Sequence, residues 1–195
     1  MSTRPPQRRT VGAVALIAAA FIAGVFFYPM FTTPTPGGSS WIAVTNLADS
    51  YNSEAAQIIA DAYNIKVKDW TSIYYHQFGL NILVVGGSDS VSVYEPMLRR
   101  LNLFTWNAYV RREDDGSWSV VTPNAIYNSK HADYGIIARK YHPLLRRWTL
   151  AIIGYSGECT VALAKYAASH PEVFGRAYTV FKLENGRLSV VEVST

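Results

Sequence analysis

The sequence predicts an α/β fold: one mixed-sheet, three-layer, Rossmann-like domain behind a single N-terminal transmembrane helix, with two β-hairpins. Three observations predict it. Three short apolar runs are each followed by a stretch with helical periodicity. The runs are continuous rather than alternating, the pattern of parallel strands covered on both faces. Two further segments are split by turn residues with β-branched and aromatic residues on either side, the mark of hairpins.

The first unit is the run WIAVT (41–45), followed by a helix from about Asn52 to Tyr63 with Ala55, Ala56, Ile58, Ile59 and Ala62 on its apolar positions. The second is NILVV (81–85), then Gly86-Gly87, then a helix from about Val93 to Leu101. The third is TLAII (149–153), then Gly154, then a helix from about Glu158 to Ser169, which His170-Pro171 stops. Between the second and third units the pattern changes. Segments 107–112 and 117–122 flank Glu113-Asp114-Asp115-Gly116, a hairpin, and YGIIA (134–138) is a further strand. Segments 177–183 and 188–193 flank Glu184-Asn185-Gly186-Arg187, the second hairpin.

Residues 11–31 contain no charge and follow Arg4, Arg8 and Arg9. As a helix they would extend roughly 31 Å, enough for the hydrocarbon core of a bilayer. The next basic residue is Lys66, so the positive-inside rule places residues 1–10 in the cytoplasm and residues 41–195 outside, in a cell membrane protein of single-pass topology. Residues 32–40, TTPTPGGSS, read as a tether. A cleaved signal peptide is the competing reading, but the apolar run is long and ends in bulky residues with no A-x-A site. Arg8-Arg9 matches a twin-arginine export signal in part.

The net charge of +4 bears on partners. Without the three N-terminal arginines, 15 basic residues face 14 acidic ones, a net of +1 for residues 41–195. The basic character therefore follows from membrane topology, and nucleic acid is not an expected partner. Cys159 is the single cysteine, so no intramolecular disulfide forms. His76, His131, His142 and His170 lack zinc spacing, and Glu113-Asp114-Asp115 lacks the spacing of a calcium loop, so neither a metal nor a cofactor is expected.

In open α/β sheets, ligands bind outside the carboxyl ends of the strands. Three loops fall there. Asn46 and Asp49 follow the first strand; Gly86, Gly87, Ser88 and Asp89 follow the second; Tyr155, Ser156, Gly157, Glu158 and Thr160 follow the third. Glycines admit a ligand to the backbone, and helix N-termini favour anions. Asp49, Asp89 and Glu158 would repel an anion unless a metal or a sugar hydroxyl intervened. The same residue types are also ordinary helix caps and tight turns. Gly154-Tyr155-Ser156-Gly157-Glu158 resembles a nucleophile elbow, but Glu158 occupies the second glycine position and no acid-then-histidine pair follows. Catalytic residues are not assigned. Cys159, near a helix start but without a basic partner, reads as a buried thiol.

The segments ILVVGG (82–87), Asp133-Tyr134-Gly135-Ile136-Ile137 and LAIIGYSGECT (150–160), in this order and with the alanines 162 and 164 following, resemble the α/β outer domain of archaeal S-layer proteins. Ser88-Asp89-Ser90 and Tyr141-His142-Pro143 stand where that family has proline and asparagine. The resemblance implies a cell-surface module with no catalytic residues to transfer. The expected function is a structural or partner-binding component of the cell envelope, in contact with lipid through residues 11–31 and with an envelope or membrane-complex protein. A ligand-binding or hydrolytic domain using the strand-end loops, with a nucleotide or sugar, and an accessory subunit of a membrane complex are the alternatives.

Overall fold

The computed structural model describes residues 16–24, 32–70, 80–87, 108–142 and 146–194. Residues 16–24 are helical, and residues 1–32 form a unit separate from Thr33–Thr195. Among the described residues no helix is long and apolar enough to cross a membrane; most of the 11–31 segment lies outside them. The helix expected at 93–101 also lies outside the described residues, as do Ser88 and Asp89.

The larger unit begins at Thr33, and most of the segment read as a tether packs on it as an ordered loop, with Pro34 and Pro36 buried. The chain then runs from a 3-10 turn (Gly38–Ser40) into β1 (Trp41–Thr45), α1 (Ser50–Tyr63), β2 (Lys66–Asp69) and β3 (Asn81–Gly87). A meander follows: β4 (Tyr109–Arg112), β5 (Trp118–Val121) and β6 (Ile126–Asn128). Then come β7 (Asp133–His142), β8 (Arg147–Gly154), α2 (Gly157–Ser169), a 3-10 turn (Pro171–Gly175), β9 (Tyr178–Glu184) and β10 (Arg187–Val193). Among the described residues, seven strands form a mixed sheet in the order β10-β9-β7-β8-β3-β1-β2, and β4-β5-β6 form a second, three-stranded sheet. The strands β8, β3, β1 and β2 are parallel neighbours, while β7 runs antiparallel between β8 and β9. Both expected hairpins are present, β4–β5 and β9–β10. The second turns through Asn185 and Gly186, with φ of 52° and 74°, the left-handed pair a two-residue hairpin turn requires.

The mixed sheet has a helical face and a β face. On the helical face Trp41, Ala43, Leu83, Val85, Leu150, Ile152, Ile137 and Phe181 pack with Ala55, Ala56 and Ile59 of α1 and Leu163, Ala164 and Ala167 of α2. Alanines line the seam between the helices, and the Tyr63 hydroxyl donates across it to the Ala167 carbonyl at 2.6 Å. Burial, then the nearby Glu172 charge, pushes that phenol up to about 12. On the other face Ile136, Ala138, Ala151, Ile153, Tyr178 and Val180 pack with Ala108, Val110 and Val120 of the small sheet. Among the described residues the layers are helices, mixed sheet and small sheet, with both described helices on one face. One consequence is topological. The β1-α1-β2 and β8-α2-β9 crossovers step in opposite directions along the sheet but carry their helices on the same face. They must therefore have opposite hands, so one is of the left-handed kind found in roughly 2% of such units.

Two polar clamps hold the small sheet in place. The Tyr155 hydroxyl, reaching from the end of β8, accepts from the Val120 amide and donates to the Tyr127 carbonyl. Glu192 of β10 accepts four hydrogen bonds: Oε2 from Thr122 Oγ1 (2.9 Å) and the Tyr127 hydroxyl (2.8 Å), Oε1 from Asn124 Nδ2 (2.9 Å) and the Tyr178 hydroxyl (2.7 Å). Burial opposes the Glu192 charge, but the four donors together hold its pKa below the ordinary glutamate value. Burial and the Glu192 contact push both Tyr127 and Tyr178 up to about 12.

The Glu192 clamp makes stability depend on pH. Its folded pKa is depressed, so the stabilisation is complete above the unfolded glutamate pKa and is lost as pH falls through the folded one. Denaturant titrations of the wild type between pH 7 and about 3 should show stability declining on acidification. The Glu192→Gln variant should be less stable at pH 7 and show a shallower decline. An unchanged slope in that variant would remove Glu192 as the source.

Candidate functional site

The parallel strands do bring the three predicted loops to one edge, and β3 lies between β1 and β8 there. The β7 start joins them, because Gly135 pairs with Gly154. What the loops do at that edge is bond to one another. The Asp49 carboxylate caps α1, accepting from the Asn52 amide at 2.9 Å. Asn46 closes an Asx turn on the Ala48 amide at 3.0 Å. Asn52 is buried, and its Oδ1 accepts from the Gly87 amide at 2.8 Å, tying α1 to the end of β3.

The third loop is consumed in the same way. Ser156 caps α2: its Oγ accepts from the Cys159 amide at 2.9 Å and donates to Asp133 Oδ2, while its amide donates to Asp133 Oδ1 at 3.2 Å. Thr160, fully buried, shares its hydroxyl proton between the Ser156 carbonyl (3.0 Å) and the Gly86 carbonyl (3.3 Å). Tyr155 turns to the opposite face as the clamp described above. Glu158 stands exposed in the first turn of α2, where a carboxylate suits the helix dipole. Of the predicted residues, Ser88 and Asp89 lie outside the described residues, and Asp49 and Glu158 are exposed.

The glycines of this loop are required by close packing. A Cβ on Gly154 would stand 2.4 Å from the Thr160 amide nitrogen, and one on Gly157 would stand 2.3 Å from the Tyr51 ring. Gly135, opposite Gly154, faces Leu163 and Cys159 with equally little room. Gly87 differs, since its nearest neighbour would be Asn52 Oδ1 at an ordinary 3.7 Å.

Nucleophile chemistry has little footing in this arrangement. Ser156 engages a carboxylate and a backbone amide at once. Burial, then the nearby Asp133 charge, pushes the Cys159 thiol up to about 12, the reverse of an activated cysteine. Among the described residues no group of three or more His, Cys, Asp or Glu side chains could hold a metal ion. Two polar groups at this edge escaped the sequence reading. Asn52 looked like an ordinary first-turn residue, and Asp133 sat before an apolar strand with nothing to mark its partner. At this same edge Asp69 Oδ1, ending β2 beside Thr45, and toward the opposite end of the sheet Lys140 Nζ and Arg147 Nε, are buried without a hydrogen-bond partner among the described residues. Burial lowers Lys140 to about 8.

Two substitutions separate close packing from ligand access. Gly154→Ala should destabilise by about 2–3 kcal/mol, because backbone rather than a flexible side chain must move. Gly87→Ala should change stability by less than about 1 kcal/mol. Equal losses in chemical denaturation would refute the packing account. In the folded protein Cys159 should resist an aromatic disulfide reagent at pH 8 and react at once in denaturant; rapid reaction of the native thiol would contradict its burial.

No protein-family model and no curated protein sequence matches this chain.

Proposed function

We propose that this protein is a membrane-anchored, extracytoplasmic α/β module that binds a protein partner in the cell envelope, in the manner of a surface-layer component. The observation that carries the reading is the edge strand β10. Val190, Val191 and Val193 are 45%, 39% and 40% exposed on it. Natural sheets guard their edges with charge, and the other edge does so: β2 reads KVKD, with Lys66 and Lys68 exposed. The β10 stretch 188–191 has no charge at all. Arg187 and the irregularity between Val190 and Glu192 bracket these side chains, so the exposed apolar surface is confined to Val190, Val191 and Val193, and it is this patch that a partner would cover.

In the strand-end loops, by contrast, Asp49, Ser156 and Thr160 spend their polar groups on the fold, which weakens the ligand-binding alternative. A hydrolytic role would need Ser156 to leave both Asp133 and the Cys159 amide. The uncharged segment 11–31 supplies the anchor, and the arginines at 4, 8 and 9 set the orientation. The likeness of the glycine segments to S-layer outer domains accords with a place on the cell surface.

The test uses the full chain in its native membrane. Protease added to intact spheroplasts should digest residues 41–195, and cross-linking before mild detergent extraction should recover the chain in a stoichiometric complex. A domain protected until lysis, or a chain recovered only as a lone monomer, would sink the proposal.

A further inference from the structure

The end of the sheet opposite the predicted loops concentrates positive charge. Between Asp133 and Glu158 the chain has no acidic residue, yet it holds Arg139, Lys140, His142, Arg146 and Arg147. Both acids lie at the far edge, where Asp133 bonds to Ser156 and Glu158 opens α2. The pairing of β7 with β8 gathers the bases. Lys140 lies directly opposite Thr149, and His142 directly opposite Arg147. Alternation then sorts the faces. Arg139 stacks over Trp148 on the helical face, and Tyr141 packs on the same ring. Lys140, His142, Arg147 and Thr149 therefore share the β face, in line with Ala138 and Ala151. His142 Nε2 lies 3.2 Å from Thr149 Oγ1, as a shared face requires.

Two donors in this patch are left over. Lys140 Nζ and Arg147 Nε are buried without a hydrogen-bond partner among the described residues. The two residues are diagonal neighbours, with backbones about 7–8 Å apart, and both side chains are long enough to meet on one small ion. Among the described residues no carboxylate forms an ion pair with either. Burial alone acts on the Lys140 ammonium and lowers it to about 8, so at neutral pH it is still largely charged, desolvated and uncompensated. That arrangement is costly alone and becomes favourable once an anion enters. An ammonium beside a guanidinium, a point charge beside a planar donor, suits the several oxygens of a phosphate. We propose that Lys140 and Arg147, with His142 and Thr149 beside them, form a binding site for a phosphate-class oxyanion on the β face at this end of the sheet.

The site stands where the chain enters the domain. The strands β1 and β3 begin at this end, with Trp41 paired to Asn81, and Asn81 Oδ1 accepts from the Trp148 amide at 2.8 Å. The Arg139 amide donates to the Ala177 carbonyl at 2.9 Å, which puts Arg176 next in register to Lys140. Gly175, the neighbour of Arg176, is so close to Thr33 that a Cβ on it would stand 3.1 Å from Thr33 Oγ1. Thr33 in turn follows closely on Phe31, the last residue of the uncharged segment. On the reading that this segment lies in a bilayer, a lipid headgroup is one source of the phosphate; free phosphate is the other. The site itself does not depend on that reading.

The test melts the full chain in an uncharged maltoside detergent against two probes. One is inorganic phosphate, with sodium chloride at matched ionic strength as its reference. The other is phosphatidylglycerol in the mixed micelle, with phosphatidylcholine as its reference. The wild type should gain melting temperature saturably with at least one probe. A gain from phosphate marks a free anion, and a gain from phosphatidylglycerol alone marks a lipid headgroup. Lys140→Met should weaken the response at least about tenfold in apparent affinity. Without probe it should melt no lower than the wild type, because the uncompensated charge is gone; a merely structural lysine would lose stability instead. Arg147→Gln, its fold checked by circular dichroism, should weaken the same response, and Lys165→Met, exposed on α2, should keep it. No gain over either reference in the wild type, or an undiminished gain in Lys140→Met or Arg147→Gln, overturns the site. A Lys140-dependent gain in a chain that spheroplasts protect from protease would uphold the site and sink only the anchored, extracytoplasmic reading.

Discussion

The arrangement of the whole domain turns on how closely the first turn of α2 approaches the end of β8. Gly154 has no side chain because the Thr160 backbone occupies that space. From this contact the following side chains are sorted. Tyr155 is sent to the β face, where it pins the small sheet through Val120 and Tyr127. Ser156 stays at the edge as a cap locked to Asp133. Cys159 and Thr160 are driven under the helix, and Thr160 reaches back to the Gly86 carbonyl. A single tight turn thus couples all three layers. At that edge the described polar atoms of Asp49, Asn52, Ser156 and Thr160 are paired within the fold, while Asp69 Oδ1 is not.

How much of this was legible in the sequence follows from burial. The strands β1, β3 and β8 were readable because each is covered on both faces and so is apolar throughout. The strand β2 was not, because an edge strand needs no apolar run and KVKD carries three charges. The second half of β7, Arg139 to His142, was hidden for a related reason. Its polar residues snorkel or stack, as Arg139 does over the Trp148 ring at 5.3 Å, so they cover apolar surface without looking apolar. The strand β6 has three residues, too few for any period. The site divides similarly. Caps at Asp49 and Ser156 are local, within three residues of their amides, and were visible as one of two readings. Asn52 to Gly87 and Asp133 to Ser156 join positions 35 and 23 residues apart, and no local pattern records such a pair.

The placement of both described helices on one face has a further effect on the sheet's edges. Most of the helical layer sits over β1, β3, β8 and β7, leaving β10 beyond its main cover; Leu188 packs at the margin while Val190 and Val193 remain exposed. On the opposite face Glu192 secures the same strand to the small sheet with four hydrogen bonds. The edge strand is therefore held rigidly by its polar face while its apolar side chains stay open. That combination differs from a frayed terminal strand, whose exposure would signify only local instability.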